Sequence, residues 1–213
     1  MAPASPLALF GGTFDPVHKA HIEGALAVSR ALGDCEVRML PNSVPPHRPQ
    51  PRASAEHRLA MLDLACAAYP QLLVDDLELR RPAPSYSVDT LRFWRERLGQ
   101  APLAWVIGAD SLAQLHQWRH WEDFATLGHL VVIPRPDSRP PVQAVVGAFP
   151  ETDSDGLRAT PAGKRLMLPA PLLDLSATDI REALRHGNTP PELDPEVMRY
   201  IRRHELYGTG TCV

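Results

Sequence analysis

Two histidines three positions apart, His18 and His21, follow closely on the adjacent pair Gly11-Gly12. Residues at that spacing share one face of a helix, so both imidazoles fall on the same side of a first helical turn. Ahead of them the apolar run 7–10 reads as a short buried strand, which the two glycines break. Asp15-Pro16 reads as a helix start, a capping carboxylate before a proline at the first helical position. From there to Leu32, Ile22, Ala25, Leu26, Ser29 and Leu32 recur at helical spacing. Strand, glycine turn and helix N-terminus form a unit whose unpaired backbone N–H groups suit a phosphate. It is not a dinucleotide fingerprint, because only two glycines are present and they are adjacent. Nor is it a P-loop, because no Gly-Lys-Ser/Thr follows. Taken singly, such a turn occurs in many α/β proteins, and a His-x-x-His pair also suits a surface or a metal; the run as a whole points to phosphate chemistry.

A second group with the same chemistry lies far along the chain, Ser176-Ala177-Thr178-Asp179-Ile180-Arg181. Ser176 is an N-cap candidate for a helix that closes at Gly187. Its hydroxyl, the neighbouring N–H groups and the Arg181 guanidinium could equally clamp the outer phosphates of a nucleoside triphosphate.

Composition limits the alternatives. The chain has 213 residues, 44% of them hydrophobic, which is enough for one sizeable core. Its 23 prolines and 13 glycines stay well under the ~25–30% combined share of low-complexity chains, so they read as stiff ordered loops. A net charge of −3 gives no general attraction to nucleic acid or an anionic membrane, and any polyanion site must be local. Cys35, Cys66 and Cys212 are scattered and show neither a disulfide framework nor zinc-ligand spacing. No charged leader or long apolar run stands out, so a cytoplasmic protein is expected.

The elements between the two groups alternate as strands and helices. Strands are expected at 36–40, 72–79, 103–107, 130–133 and 165–168. Helices are expected from Ser54 to about Ala68, from Ser87 as N-cap through Val88, Leu91, Trp94 and Leu98, and around Trp118–Trp121. Glu56, His57 and Arg58 read as a solvated face. A last helix, capped by Asp194 and begun by Pro195, turns Val197, Tyr200, Ile201 and Leu206 inward. The stretch 137–164 reads as an irregular surface insertion, and 208–213 as a frayed end. The expected fold class is α/β: one domain over 1–213, a Rossmann-like, open, twisted, mainly parallel sheet with helices on both faces. Ligands of such sheets collect at the carboxyl ends of the strands beside the switch point. If strands one and four are neighbours, Gly108 and Asp110 face Gly11 and Gly12 across that crevice. Asp110 could hold ribose hydroxyls or cap a helix.

The first motif resembles the N-terminal signature of the nucleotidylyltransferase superfamily, G-G-x-F-D-x-x-H-x-G-H, with Ala20 where the family usually has glycine. The second matches its I-S-[ST]-T-x-I-R signature, with Ala177 in place of a hydroxyl. The segment Pro41-Asn42-Ser43-Val44-Pro45-Pro46-His47-Arg48, the turn Pro84-Ser85-Tyr86-Ser87 and Trp118 most closely resemble the bacterial nicotinate-nucleotide adenylyltransferases. The resemblance implies transfer of AMP from ATP to nicotinate mononucleotide, giving deamido-NAD and pyrophosphate. It assigns catalysis to His18, His21 and Arg181. It assigns ATP to Gly11, Gly12, Thr13, Phe14, Gly108, Asp110, Ser176, Thr178 and Arg181. The mononucleotide falls to Asn42, His47, Arg48, Tyr86, Ser87, Trp118, Arg119 and Arg135, with Arg48 on its phosphate and Trp118 stacked on the pyridine. Arg119 stands where relatives often carry tyrosine, and Arg135 could instead be displayed at the surface. Mg2+ arrives with ATP, no protein metal site is expected, and neither nucleic acid nor membrane is a partner. The rival readings are another adenylyl- or cytidylyltransferase, with nicotinamide mononucleotide or phosphopantetheine as acceptor, and a non-catalytic nucleotide sensor.

Overall fold

The apolar runs pair into a single six-stranded sheet, described by a computed structural model over residues 5–43, 50–82, 84–136, 138–169 and 175–210. Its strands are β1 (Leu7–Gly12), β2 (Glu36–Pro41), β3 (Leu72–Val74), β4 (Leu103–Gly108), β5 (His129–Ile133) and β6 (Arg165–Met167). They lie in the order β3-β2-β1-β4-β5-β6, and every neighbouring pair is parallel. The chain therefore reverses direction across the sheet between β1 and β4, which opens a crevice at the carboxyl ends of those two strands.

Alternate residues of each strand feed opposite faces, and both faces are covered. Ala8, Val37, Met39, Val106 and Val131 enter one apolar layer, while Leu7, Leu9, Leu40, Trp105 and Val132 enter the other. Helices α1 (Lys19–Ala31) and α2 (Ala55–Cys66) cover the first face. Helix α3 (Ser87–Leu98) covers the second, with the short α4 (Ala109–Ala113) and α5 (Phe124–Leu127) beside it. Beyond β5 come α6 (Gln143–Ala148) and α7 (Ser154–Arg158), and after β6 come α8 (Ala177–Arg185) and α9 (Pro195–Arg203). Ser54, Ser176 and Asp194 cap their helices as expected, accepting the backbone N–H groups of His57, Thr178 and Glu196.

Several expectations are corrected. Asp15 does not cap α1, which starts at Lys19 with His18 at its N-cap. The chain leaves β1 through Phe14 at φ 50° and a cis Asp15–Pro16 peptide, and the Asp15 carboxylate is occupied elsewhere. The third strand stops at Val74 because Asp75 takes the Leu77 N–H and Asp76 the N–H groups of Leu79 and Arg80, which curls the chain. Tyr86 occupies the N-cap of α3 in place of Ser87. The segment around Trp118 is two 3-10 turns, broken by His120 at φ 50°. The stretch expected to be irregular, 137–164, carries α6 and α7, and Val145, Phe149 and Leu157 in it are fully buried, because these apolar residues complete the two layers. Arg58 is not on a solvated face; it is one of the most buried side chains of the protein.

Candidate active site

The two glycines are dictated by what packs beneath them. A Cβ on Gly11 would come within 2.8 Å of Trp105 Cζ2, and one on Gly12 within 2.7 Å of Phe14 Cζ, closer than carbon atoms approach. Phe14 is therefore core: 1% exposed and edge-on to His21 at 5.0 Å between centroids. Its ring lies in the apolar layer beneath the turn, where it packs under Gly12.

His18 and His21 meet at the tip of α1 with ring centroids 3.8 Å apart. The His18 backbone N–H donates to His21 Nδ1 at 3.3 Å. That bond leaves Nε2 as the proton-bearing nitrogen of neutral His21. His18 is buried, and its Nδ1 has no hydrogen-bond partner among the described residues. Burial, then the nearby Arg135 charge, lowers His18 to about 4. Burial, then His18 and Arg135, also holds His21 well below the ordinary imidazole range. Both rings are consequently neutral hydrogen-bond donors near neutral pH, in a setting that rewards an arriving anion.

Arg181, from the other end of the chain, reaches the Asp15 turn that precedes His18. Its Nη1 donates to the Asp15 carbonyl at 2.6 Å, and its Nη2 donates to Thr178 Oγ1 at 3.1 Å. Thr178 thus orients Arg181, and Ser176, whose Oγ accepts the Thr178 N–H, caps the helix that carries both. The junction is Asp15, 5% exposed, whose carboxylate accepts the N–H groups of Arg52 and Ala53 and the Tyr207 hydroxyl.

Arg58 supports this arrangement from below. It donates to the carbonyls of Thr13, Asn42 and Ser43, tying the end of β1 to the end of β2. Asn42 in turn donates to Thr13 Oγ1 at 3.3 Å, and its Oδ1 is buried with no partner among the described residues. His47 and Arg48, expected to reach the mononucleotide, lie outside the described residues.

Beside the glycine turn opens a cleft of about 490 Å³, within the size range of small-molecule sites. Gly11, Gly12, Thr13 and Gly108 line it together with Tyr86, Ser87, Trp118 and Arg119. Trp118 is held edge-on to Phe124 at 6.0 Å, and the Arg119 guanidinium lies 4.7 Å over the Tyr86 ring. The Tyr86–Ser87 turn is anchored through α3 by Glu78, which is buried and accepts from Thr90 Oγ1 at 2.8 Å. Arg81 in turn donates to Thr90. Burial pushes the Glu78 carboxyl up. Arg135 is not among the residues lining this cleft; it pairs with Asp110 at 3.6 Å, next to Gly108. Asp110 stands in the first turn of α4, whose N-cap is Gly108.

Sequence reading missed Arg58, Glu78 and Tyr207. For Arg58 the signal existed: Arg58, Met61, Leu62 and Ala65 recur at helical spacing and are all buried. For Tyr207 and Glu78 no local pattern distinguishes them.

The chain thus combines a parallel α/β sheet, a glycine turn that lines a cleft, an imidazole pair at the tip of α1 and a guanidinium held on the Asp15 carbonyl. The cytidylyltransferase-like family matches residues 9–183. A protein of Yersinia enterocolitica named "Probable nicotinate-nucleotide adenylyltransferase" is 42% identical over 94% of both chains. One of the same name from Pectobacterium atrosepticum is 41% identical over 94% of this chain and 97% of its own. The chain belongs to the nicotinate-nucleotide adenylyltransferases of the cytidylyltransferase-like family. Among solved structures, Plasmodium falciparum nicotinic acid mononucleotide adenylyltransferase complexed with NaAD superposes with a TM-score of 0.76 at 17% identity. That match spans 97% of this chain and 99% of the other, and it shows the shared fold.

Proposed function

We propose that the protein transfers the adenylyl group of ATP to nicotinate mononucleotide, forming deamido-NAD and pyrophosphate. The observations that carry this reading are the stacked pair His18 and His21 at the tip of α1, Arg181 held on the carbonyl of Asp15 three residues before His18, and a glycine turn that lines a cleft with aromatic walls. A phosphate oxygen of the mononucleotide attacks the α-phosphorus of ATP. A new P–O bond forms, the bond to the β-phosphate bridging oxygen breaks, and pyrophosphate leaves with the electron pair. The attacking phosphate is already ionised, so no side chain has to remove a proton. The protein must align the two phosphates and stabilise charge as it moves toward the leaving group.

In this reading His21 and His18 donate to the α-phosphate region, and Arg181 with the α8 N-terminus holds the β- and γ-phosphates. Asp110 takes the ribose of ATP, and Arg135 adds positive potential beside the histidines. Trp118 and Tyr86 enclose the flat pyridine ring. Arg119, fixed over Tyr86, faces the ring's carboxylate and favours the acid over the amide. Asn42, Ser87, His47 and Arg48 complete the mononucleotide side.

Magnesium enters as part of the ATP substrate. Among the described residues no cluster of three His, Cys, Asp or Glu side chains could hold a metal, and the Asp15 carboxylate is saturated by N–H and O–H donors. These residues do not fit a protein-held cation, and no step here runs through one. We also propose a cytoplasmic setting; among the described residues no helix is long and apolar enough to cross a membrane.

Pyrophosphate release from ATP with nicotinate or nicotinamide mononucleotide tests the reading directly. Turnover with the nicotinate substrate, and a reduced acid-over-amide preference in Arg119→Gln, are expected. Tight ATP binding with no pyrophosphate from either acceptor would favour a nucleotide sensor instead.

A further inference from the structure

The turn after α9 reaches back to the Asp15 turn at some conformational cost. Glu205 and Tyr207, neither of them glycine, sit at φ 52° and 59°, in the left-handed region that such residues avoid. Conformations of this kind persist where the surroundings over-determine them. Here the determinant is a hydrogen bond of 2.7 Å from the Tyr207 hydroxyl to Asp15 Oδ1. The neighbours of that carboxylate explain why the bond matters. Oδ2 accepts the Arg52 N–H at 2.8 Å, and Oδ1 also accepts the Ala53 N–H at 3.1 Å. Arg181 Nη1 lies 3.9 Å from Oδ2, an ion pair too long for a hydrogen bond, and binds the Asp15 carbonyl instead. Arg58, buried nearby, is committed to three carbonyls.

We propose that Tyr207 is a positioning residue for the triphosphate clamp: by satisfying Asp15 Oδ1 it stops the Asp15 carboxylate from capturing Arg181, so the guanidinium stays available to ATP. Without the hydroxyl, the carboxylate loses one of its donors. Arg181 already lies 3.9 Å from Oδ2, and a full carboxylate–guanidinium pair is a strong competitor for a ligand phosphate. Burial, together with the adjacent Asp15 charge, also pushes the Tyr207 phenol up, so the hydroxyl remains a donor throughout the working pH range.

This inference rests on the adenylyl-transfer reading, and its test separates the two. Tyr207→Phe keeps the ring and removes only the donor. Binding of a non-hydrolysable ATP analogue is measured by titration calorimetry, alongside KM for ATP and for nicotinate mononucleotide and the melting temperature. The expected result is analogue binding and KM for ATP weakened about tenfold, with KM for the mononucleotide within about twofold of the parent. In an Arg181→Ala background the same substitution should cost nothing further for ATP, since the residue it protects is gone. A purely structural tether would lower the melting temperature and weaken both substrates alike, with the loss persisting in the Arg181→Ala background; that pattern, or unchanged analogue binding, overturns the proposal. If the parent protein binds the analogue yet releases no pyrophosphate, the catalytic reading fails while the calorimetric comparison still decides the role of Tyr207.

Discussion

His18 offers the most direct physical check on the site, through pH and stability together. In the folded chain its imidazole titrates at about 4, against an ordinary value of 6.5, because it is buried and faces the Arg135 charge. Between those two values the unfolded chain binds more protons than the folded one, so acid pulls the equilibrium toward unfolding. The stabilisation is complete above pH 6.5 and is lost progressively as pH falls toward 4. At about 1.36 kcal/mol per pH unit, the gap between 6.5 and about 4 amounts to roughly 3 kcal/mol. Urea unfolding of the parent and of His18→Gln, from neutral pH down to about pH 4, isolates this contribution, because glutamine does not titrate. The parent should lose roughly 3 kcal/mol more than the variant across that range. Added tripolyphosphate, an anion facing the rings, should raise the folded-state value and shrink the acid loss more in the parent than in the variant, which keeps only His21. Parallel curves for the two proteins would refute the claim that a neutral, buried imidazole waits at this helix tip.

His21→Ala should fold normally yet lose on the order of 10²–10³ in kcat, read by pyrophosphate release; near-normal turnover removes His21 from the mechanism. Arg58→Met leaves the carbonyls of Thr13, Asn42 and Ser43 without their donor, and should cost about 3 kcal/mol or more in chemical unfolding; a loss under about 0.5 kcal/mol, as for an ordinary surface change, would contradict its bracing role. Gly11→Ala drives a methyl into Trp105 and should destabilise by about 1–3 kcal/mol, with Trp105→Phe recovering much of it because phenylalanine lacks the offending atoms. Additive losses in that double variant would show that the crowding lies elsewhere.

How much of this was legible beforehand follows from the range over which each signal acts. A helix cap is a contact between residues two or three apart, so Ser54, Ser176 and Asp194 could be read in the chain itself. The same holds for the glycine turn, the His18–His21 spacing and the alternation that makes a doubly covered parallel sheet. What required tertiary structure were residues whose partners come from distant segments. Asp15 looks like a local cap, yet its acceptors are filled from residues 52, 53 and 207, and so helix α1 begins later. Arg58 looks like a surface charge beside Glu56 and His57, but the carbonyls at the ends of β1 and β2 offer it a buried polar socket. Phe14 sits within a nucleotide-binding signature and nevertheless belongs to the core, because Gly12 leaves room for its ring. Sequence alone supplied the candidate phosphate-handling groups and the strands that carry the glycine turn. Only the folded chain decided which residues are buried and which hold others in place, because burial and hydrogen bonding are properties of neighbours in space.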